Sequence, residues 1–595
     1  MARSGRKSKD AVDVPAAPTV CDVARRLTEE LETPAGLENR APTITELFLT
    51  AREKENISLW REEVQHWSIV HYCTSPIFKW LARFIPETVA PNVVTLAGLI
   101  AVVQSWYFSI MFSQPDGTSS PVLPALCFTS IIIFWLCHET DGAHASRTLN
   151  DTAMGELFKY VCEAASLIFV TISLLAAYGA GNQVAMQWYS VQIGQLVLML
   201  KHYSAFLRES GMRYWLLGPG EVISVALCIV MAQGILGQDF IWDGYVALYD
   251  LGVTTLASTG LIAKYVPQPR GHLEMILDNL RFWYYVVFVG FLTKIIFSGG
   301  ASQHNFTRWS LVAIVCSRFV PTAVQLYLVD MGPASMTQQD VIVDGLFATM
   351  VTADLIVANM AKREIHSWII VMAFSIMIPQ LHFMILYYVG GYFMAVFGDI
   401  CWYMNVPLVA MCRNVYVDGT FDLCNVHHKR VFREALKHGN RLFVGVYSDK
   451  EFKGFARTPI MTKEERKNEV QACKFVTRVV ENPPCFGITE NFIRKLKIHV
   501  VCCGQEYFEL FPKAEDDPYY GIPRQLGICY PLSRDEDFIS KCKEIFKDFK
   551  GAFKKNPIEA EDIKGLKLLL DSLQTSSIIS KIQAAQAAHI KLSPT

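Results

Sequence analysis

The stretch His138–Glu163, HETDGAHASRTLNDTAMGELFKYVCE, gathers charged side chains inside an otherwise apolar region. An apolar run, Leu123–Cys137, ends at its start, and another, Leu157–Tyr178, leaves from its far end. Asp141, Lys159 and Glu163 therefore fall where two membrane helices bring them together. A charged group at bilayer depth costs roughly 2.5–3.5 kcal/mol, so each needs a partner or a function. The three can pair with one another inside a bundle, or they can face a ligand. The order of residues predicts a polar turn that carries Asp141-Gly142 and Arg147, with Gly142 letting the chain bend sharply.

The segment resembles the signature of the CDP-alcohol phosphotransferases, membrane enzymes that make phosphatidylcholine and phosphatidylethanolamine. That signature runs Asp-x-x-Asp-Gly-x-x-Ala-Arg, a spacer, then Gly-x-x-x-Asp-x-x-x-Asp. Asp141, Gly142, Ala145 and Gly155 fit it. His138 stands at the first Asp, Lys159 at the third, Glu163 at the fourth, and Ser146 at the Arg, with Arg147 one residue late. The resemblance implies a CDP-alcohol site built on Asp141, Gly142, Arg147, Gly155 and Glu163. Its Mg²⁺ or Mn²⁺ would be held by Asp141 and Glu163. Magnesium asks for hard oxygen ligands in tight octahedral geometry. His138 offers nitrogen and Lys159 a charge that repels a cation, so the site is expected to be altered. Lys159 then either replaces part of the metal's charge near the phosphates or pairs with the carboxylates.

The elements that position these groups are long apolar runs. Hydrophobic residues make up 51% of the chain, and they bunch near Val93–Phe112, Leu123–Cys137, Leu157–Tyr178, Val184–Phe206, Val222–Ile241, Tyr245–Tyr265, Trp283–Phe297, Ser310–Val329, Val341–Ala361 and Trp368–Val396. A run of roughly 20 residues crosses a bilayer as a helix, and an open strand cannot satisfy its backbone there. About ten spans are therefore expected between residues 75 and 400. Ser75–Gly98 interleaves Lys79 and Arg83 with Trp80 and Phe84, as an interfacial helix does; its Ala-Pro-Asn turn again resembles the choline/ethanolamine phosphotransferases. Gly218-Pro219-Gly220-Glu221 and Asp354–Met360 resemble further elements of that family. Lys294, Asp344, Asp354 and Asp399 are expected to face the bundle interior.

Residues 1–74 are expected to form a polar tail, with the first twenty disordered, an amphipathic helix at Thr45–Trp67, and either an amphipathic helix or a solvated tail at Asp22–Glu32. MARSGRKSKD lacks a following apolar segment, so no cleaved signal peptide is expected. The basic tail, Lys201, Arg208 and Arg213 place the N-terminus, the His138–Gly155 loop and the C-terminal region in the cytosol. The 16 Cys show no paired zinc-type spacing and read as buried thiols. The net charge of −1 selects no partner.

Past Arg413 the pattern changes. Asn414–Val417, Arg441–Val446 and His499–Cys502 read as strands and His428–His438 as a helix, which argues a parallel, doubly wound α/β sheet over residues 413–548. Val415–Arg430, VYVDGTFDLCNVHHKR, resembles the opening of the CTP:phosphocholine and CTP:phosphoethanolamine cytidylyltransferases, Tyr-x-Asp-Gly-x-Phe-Asp-Leu-Phe-His-x-Gly-His. Tyr416, Asp418, Gly419, Phe421, Asp422 and Leu423 fit; Asn425 replaces the first His, His427 the Gly, and His428 keeps the last His. Gly445–Asp449, Phe452–Phe455 and Met461–Arg466 fit later motifs in order. The family's late Arg-Thr-Glu-Gly-x-Ser-Thr motif is not matched, and Arg524 or Arg534 are candidate stand-ins. By resemblance, His428 and Lys453 are the catalytic groups, and Asp418, Gly419, Phe421, Asp422, Asn425 and Arg466 bind the nucleotide. A helix N-terminus near His428 suits phosphate. Residues 556–590 carry Ile563, Leu566, Leu570, Leu573 and Ile578 on one helical face, to lie on a membrane or on the chain's own domain.

The expected fold is thus a polytopic α-helical membrane bundle followed by an α/β Rossmann-like nucleotidyltransferase domain. The two resemblances belong to consecutive steps of phospholipid synthesis by the Kennedy pathway, in an internal membrane such as the endoplasmic reticulum or Golgi. The partners implied are CTP, phosphoethanolamine or phosphocholine, a CDP-alcohol, diacylglycerol and membrane lipid. No nucleic acid is expected, and a homodimer is left open. The competing class is a non-catalytic scaffold or a sensor of CTP or CDP-alcohol.

Overall fold

The computed structural model describes residues 48–60, 69–112, 122–237, 272–298, 304–328, 337–375, 384–452 and 459–533, apart from short gaps, with isolated positions beyond, among them Leu566 and Lys567. Two compact units emerge. One is Pro42–Met411; the other contains Cys412–Thr595 with Met1–Ala41.

The first unit is helical. Its elements are α1 (Ala51–Leu59), α2 (Ile69–Leu81), α3 (Pro91–Phe112), α4 (Val122–Thr148), α5 (Ala153–Ala177), α6 (Val184–Leu207), α7 (Pro219–Leu236), α8 (His272–Phe297), α9 (Asn305–Leu328), α10 (Gln338–Ala361), α11 (Ser367–Ser375) and α12 (Met384–Met404). Six segments are long and apolar enough to cross a membrane: α3, α4, α5, Glu274–Phe297 of α8, α10 and α12. This is a polytopic membrane bundle; the six spans are counted among the described residues, and the expected run Tyr245–Tyr265 lies outside them. Helices α11 and α12 cover the two ends of the expected run Trp368–Val396, and residues 376–383 between them lie outside the described residues.

Local chemistry sets the helix ends. Thr152 accepts from Gly155 N at 3.0 Å and starts α5. Thr337 and Asp340 close a reciprocal capping box on α10. At α7, the Gly218 amide donates to Glu221 Oε2 at 2.7 Å, and Glu221 Oε1 also accepts from Val70 N at 3.2 Å, tying α7 to α2. Helix α10 is buried along nearly its whole length. A Cβ on its Gly345 would stand 2.8 Å from Ile168 of α5, so only glycine permits that approach.

The intramembrane acids are partnered, as burial demands. Asp344 accepts from Trp188 Nε1 at 2.9 Å. Asp354 meets Arg363 at 2.6 Å, the His366 amide at 2.7 Å and the Tyr392 hydroxyl at 3.0 Å. Asp399 faces Lys54 at 3.4 Å. Lys294 departs from the expectation: it is exposed on α8, near that helix's C-terminal end, where a long side chain can carry its charge outward. On α2, Trp80 (54% exposed) and, just beyond it, Phe84 (68%) present apolar surface beside Lys79 and Arg83, the composition of an interfacial anchor.

The second unit is a five-stranded, all-parallel sheet in spatial order β3-β2-β1-β4-β5, from β1 (Asn414–Gly419), β2 (Arg441–Val446), β3 (Arg478–Glu481), β4 (Val500–Gly504) and β5 (Cys529–Leu532). Helices α13 (Val426–Leu436), α14 (Lys463–Gln471), α15 (Glu490–Lys495), α16 (Gln505–Leu510) and α17 (Gly521–Gln525) connect the strands. Strands β1, β2 and β4 are buried residue by residue, the run expected when helices cover both faces of a parallel sheet. The order reverses between β1 and β4, and in such sheets ligands bind beyond the strand C-termini at that reversal.

Candidate functional site

The first candidate lies between α4 and α5. All five residues expected at a CDP-alcohol site, Asp141, Gly142, Arg147, Gly155 and Glu163, line one cavity of about 780 Å³, together with His138 and Lys159. That size suits a small-molecule ligand. The expected turn at Asp141-Gly142 is corrected: both residues sit inside α4, which runs on to Thr148. The chain reverses instead at Leu149, whose φ is 52°, and the Asn150 amide returns to Ala145 O at 2.9 Å. Arg147 fixes this last turn by donating to Arg83 O at 3.0 Å and Ile85 O at 2.5 Å.

At the cavity wall Lys159 Nζ donates to Asp141 Oδ1 at 2.6 Å and to His138 O at 2.8 Å. Asp141 Oδ2 accepts from Thr95 Oγ1 at 2.8 Å. Glu163 Oε2 lies 3.7 Å from His138 Nε2, and Glu139 Oε1 3.7 Å from His138 Nδ1; neither ring nitrogen has a hydrogen-bond partner. Each Asp141 oxygen is thus engaged, one by an ammonium where a divalent cation would have to stand. Among the described residues no group of three or more His, Cys, Asp or Glu side chains is arranged to hold a metal. The donor set does not fit Mg²⁺ or Mn²⁺ on Asp141 and Glu163. What it offers is a cavity with a fixed ammonium, a form of positive charge suited to phosphate.

The second candidate is the loop leaving β1. Gly419 ends the strand; a Cβ there would stand 3.0 Å from the Phe421 ring, so glycine lets that ring fold back. Phe421 packs on His428 and Phe432, with ring centroids at 5.4 and 5.0 Å. Asp422 accepts from the Ile460 and Met461 amides at 3.0 and 3.1 Å, pinning the loop to the start of α14. Asn425 caps α13, its Oδ1 accepting from His427 N at 3.0 Å and His428 N at 3.3 Å. His428 Nδ1 accepts from the Asn425 amide at 3.2 Å. That bond assigns the proton of the neutral ring to Nε2, which becomes a donor. Thr420 Oγ1 and Asn425 Nδ2 are buried without a hydrogen-bond partner, beside amides at the head of α13: polar groups of the kind a phosphate ligand satisfies.

Arg466 serves the loop from behind. Fully buried, it donates to Thr420 O at 2.7 Å, Tyr447 O at 3.0 Å and Met461 O at 3.3 Å, and pairs with Asp449. It shapes the β1–α13 loop through the backbone. Arg524 is engaged likewise, with Asp517 at 2.8 Å and Phe511 O at 2.7 Å. Lys453 and Arg534 lie outside the described residues. Asp418, at the end of β1, accepts from the Tyr520 hydroxyl at 2.6 Å. Burial first, then the Asp418 charge, pushes the Tyr520 phenol well above its usual range, so it stays a donor. Tyr447 and the adjacent pair Tyr519-Tyr520 crowd this end of the sheet; no spacing rule marks them, because the pair lies more than 70 residues from Tyr447 in sequence.

The cytidylyltransferase-like family model matches residues 416–531. Those residues form a cytidylyltransferase-like domain. The chain is also similar to an ethanolamine-phosphate cytidylyltransferase of Dictyostelium discoideum, 40% identical over 125 residues, 20% of this chain and 34% of that protein. Over the N-terminal region it is similar to cholinephosphotransferase 1 of Danio rerio, 23% identical over 206 residues, 34% of this chain and 53% of the relative. A CDP-diacylglycerol–serine O-phosphatidyltransferase of Encephalitozoon cuniculi is 28% identical over 167 residues, 28% of this chain and 40% of that protein. The chain resembles a fusion of the two kinds of enzyme, and spans between a third and about half the length of each of these relatives.

Proposed function

We propose that this chain serves phospholipid synthesis by the Kennedy pathway. The cytidylyltransferase-like domain makes a CDP-alcohol from CTP and phosphoethanolamine or phosphocholine, and the membrane cavity receives that product, from which the phosphoalcohol passes to diacylglycerol. The observation that carries this reading is the β1–α13 junction. There a loop pinned by Asp422 and Arg466 delivers Asn425, His428 and the head of a helix to one place, within the stretch that matches the family.

In the first reaction a phosphate oxygen of the phosphoalcohol attacks the α-phosphorus of CTP, and pyrophosphate leaves with the bonding electrons. CTP brings its own Mg²⁺ as part of the substrate. The protein's task is positioning and charge neutralisation. The His428 Nε2–H and the α13 amides stabilise charge developing on the α-phosphate, with Asn425 Nδ2 and Thr420 Oγ1 as further partners. Lys453 adds positive charge in the same reading. In the membrane cavity Lys159 supplies a fixed positive charge to the CDP-alcohol. The positive-inside reading keeps both sites on the cytosolic face of an endoplasmic reticulum or Golgi membrane, where CTP is available.

The test uses full-length protein in lipid nanodiscs with CTP, Mg²⁺ and either phosphoalcohol, product being followed by mass spectrometry before and after diacylglycerol is added. CDP-alcohol is expected, and H428A should slow its formation by on the order of 10²–10³-fold, the usual worth of one hydrogen-bond donor to charge developing in the transition state. Folded protein that forms no CDP-alcohol with either substrate would overturn the reading. CDP-alcohol without phospholipid would confine it to the C-terminal domain.

A further inference from the structure

Lys567 stands 149 residues from Asp418 in sequence, yet its ammonium lies 3.2 Å from Asp418 Oδ2. It is fully buried, 0% exposed, and Leu566 beside it is 2% exposed. Lysine is almost never fully buried unless paired. Here the pairing is with more than a carboxylate. The ammonium faces the rings of Tyr447, Tyr519 and Tyr520, at 5.2, 5.6 and 4.6 Å from their centroids. Three aromatic faces and one buried carboxylate around a cation are what recognition of an organic ammonium requires.

The walls of this box are fixed by bonds that do not involve Lys567. The Tyr519 and Tyr520 amides donate to Asp517 Oδ1 at 2.9 and 3.0 Å, and Asp517 is held by Arg524. The Tyr520 hydroxyl holds Asp418, and Arg466 holds the Tyr447 carbonyl. The box is therefore preorganised, and the lysine is its occupant. Asp418 and Tyr520 also line, with Gly419 and His428, a cavity of about 40 Å³ at the end of β1, far below the size a small-molecule site needs. The box and the phosphate-binding head of α13 are thus contiguous, the arrangement suited to a substrate with phosphate at one end and ammonium at the other.

We infer that Lys567 is an internal competitor of the phosphoalcohol: its ammonium fills the box that the substrate's ammonium must enter, and substrate binding displaces it. This rests on the cytidylyltransferase reading for the identity of the substrate, and on the geometry alone for the occupancy of the box. Phosphoethanolamine and phosphocholine share the cationic group, and both are run in the test.

Full-length protein in nanodiscs is methylated at lysines under reducing conditions, with reagent in excess over any substrate amine. Modification at Lys567 is read by peptide mass spectrometry relative to Lys437, which is 54% exposed. Lys567 is expected to react slowly. Phosphoalcohol together with CTP, or D418N alone, should speed it on the order of tenfold or more, the worth of a desolvated cation–π contact. In the transfer assay K567M should lower the KM for phosphoalcohol by a similar factor and leave the KM for CTP unchanged.

Lys567 reacting as fast as Lys437 in the unliganded protein would overturn the inference. So would CDP-alcohol formation with no change in Lys567 labelling, or a K567M protein whose KM for phosphoalcohol is unchanged or raised; in these cases the transferase reading survives. Labelling that responds to phosphoalcohol while no CDP-alcohol forms would instead sink the transferase reading and keep the box.

Discussion

Lys159 changes what its cavity can do. A carboxylate at that position would add a third anion beside Asp141 and Glu163; the ammonium instead neutralises Asp141 from inside the protein. Only Asp141 of this pair is buried, so removing Lys159 leaves that carboxylate uncompensated at a cavity wall and costs less than the roughly 3–5 kcal/mol of a fully buried pair. K159M is therefore expected to lower the thermal stability of the membrane unit, whereas K159D places a third carboxylate beside Asp141 and Glu163, with His138 unchanged. Binding of radiolabelled CDP-ethanolamine to this cavity should be indifferent to EDTA in the wild type and become EDTA-sensitive in K159D. EDTA-sensitive binding in the wild type that persists in K159M would refute the built-in countercharge. A second residue-scale prediction concerns acid. His499 is exposed overall, but its Nδ1 accepts from the Asn414 amide at 3.0 Å, and desolvation on that side first, then Arg413 and Lys497, holds its pKa below the usual 6.5. The unfolded chain therefore takes up this proton first, so the stabilisation is complete above pH 6.5 and is lost as pH falls through and below it. Hydrogen exchange at Asn414, corrected for intrinsic rate, should rise between about pH 7.5 and 5.5, and H499Q, which keeps an acceptor without a titrating ring, should flatten that dependence.

At the scale of elements, the β1–loop–α13 unit was legible because its residues do local work. Gly419 makes room for Phe421, Asn425 caps the helix, and His428 follows at the third helical position. The strands β3 and β5 were harder to read, being short and partly exposed. The turn assigned to Asp141-Gly142 failed for a physical reason: one glycine does not end a helix when the next residues are helix-compatible and Arg147 anchors the final turn through backbone carbonyls outside it. Arg466 shows the other limit. Sequence resemblance places it near the nucleotide, but only the fold reveals that three backbone carbonyls, from Thr420, Tyr447 and Met461, converge on its guanidinium. R466M should cost about 3 kcal/mol or more, because buried acceptors lose their donors. R466K should rescue little of it, since one ammonium cannot reproduce a planar fork. Denaturant midpoints of the C-terminal domain within the full chain measure this; full rescue by lysine would show that charge alone matters.

On the scale of the whole molecule, the change from long apolar runs to β-branched strands alternating with charged helices separated the two units in sequence, since each period follows from what its faces must bury. What sequence could not expose was the meeting of distant side chains. Lys567 reads as a polar position on an amphipathic helix, and nothing in its spacing points to three tyrosines and Asp418. The covalent link between the units carries its own consequence. Helix α12 ends at Met404 and β1 begins at Asn414, so residues 405–413 span at most about 30 Å. The product itself is not tethered, so the link can favour transfer only by letting a released molecule start its diffusion beside a second site on the same chain. With labelled phosphoethanolamine, CTP and diacylglycerol supplied, label should reach phospholipid faster than free CDP-ethanolamine accumulates, and unlabelled CDP-ethanolamine added to the bulk should dilute it less than bulk mixing requires. A mixture of two full-length variants, H428A and one disabled at Lys159, holds both working sites on different chains. Its label should be diluted fully by the bulk pool. Equal dilution in the wild type and the mixture would show that the tether confers no transfer advantage, while both reactions could still proceed.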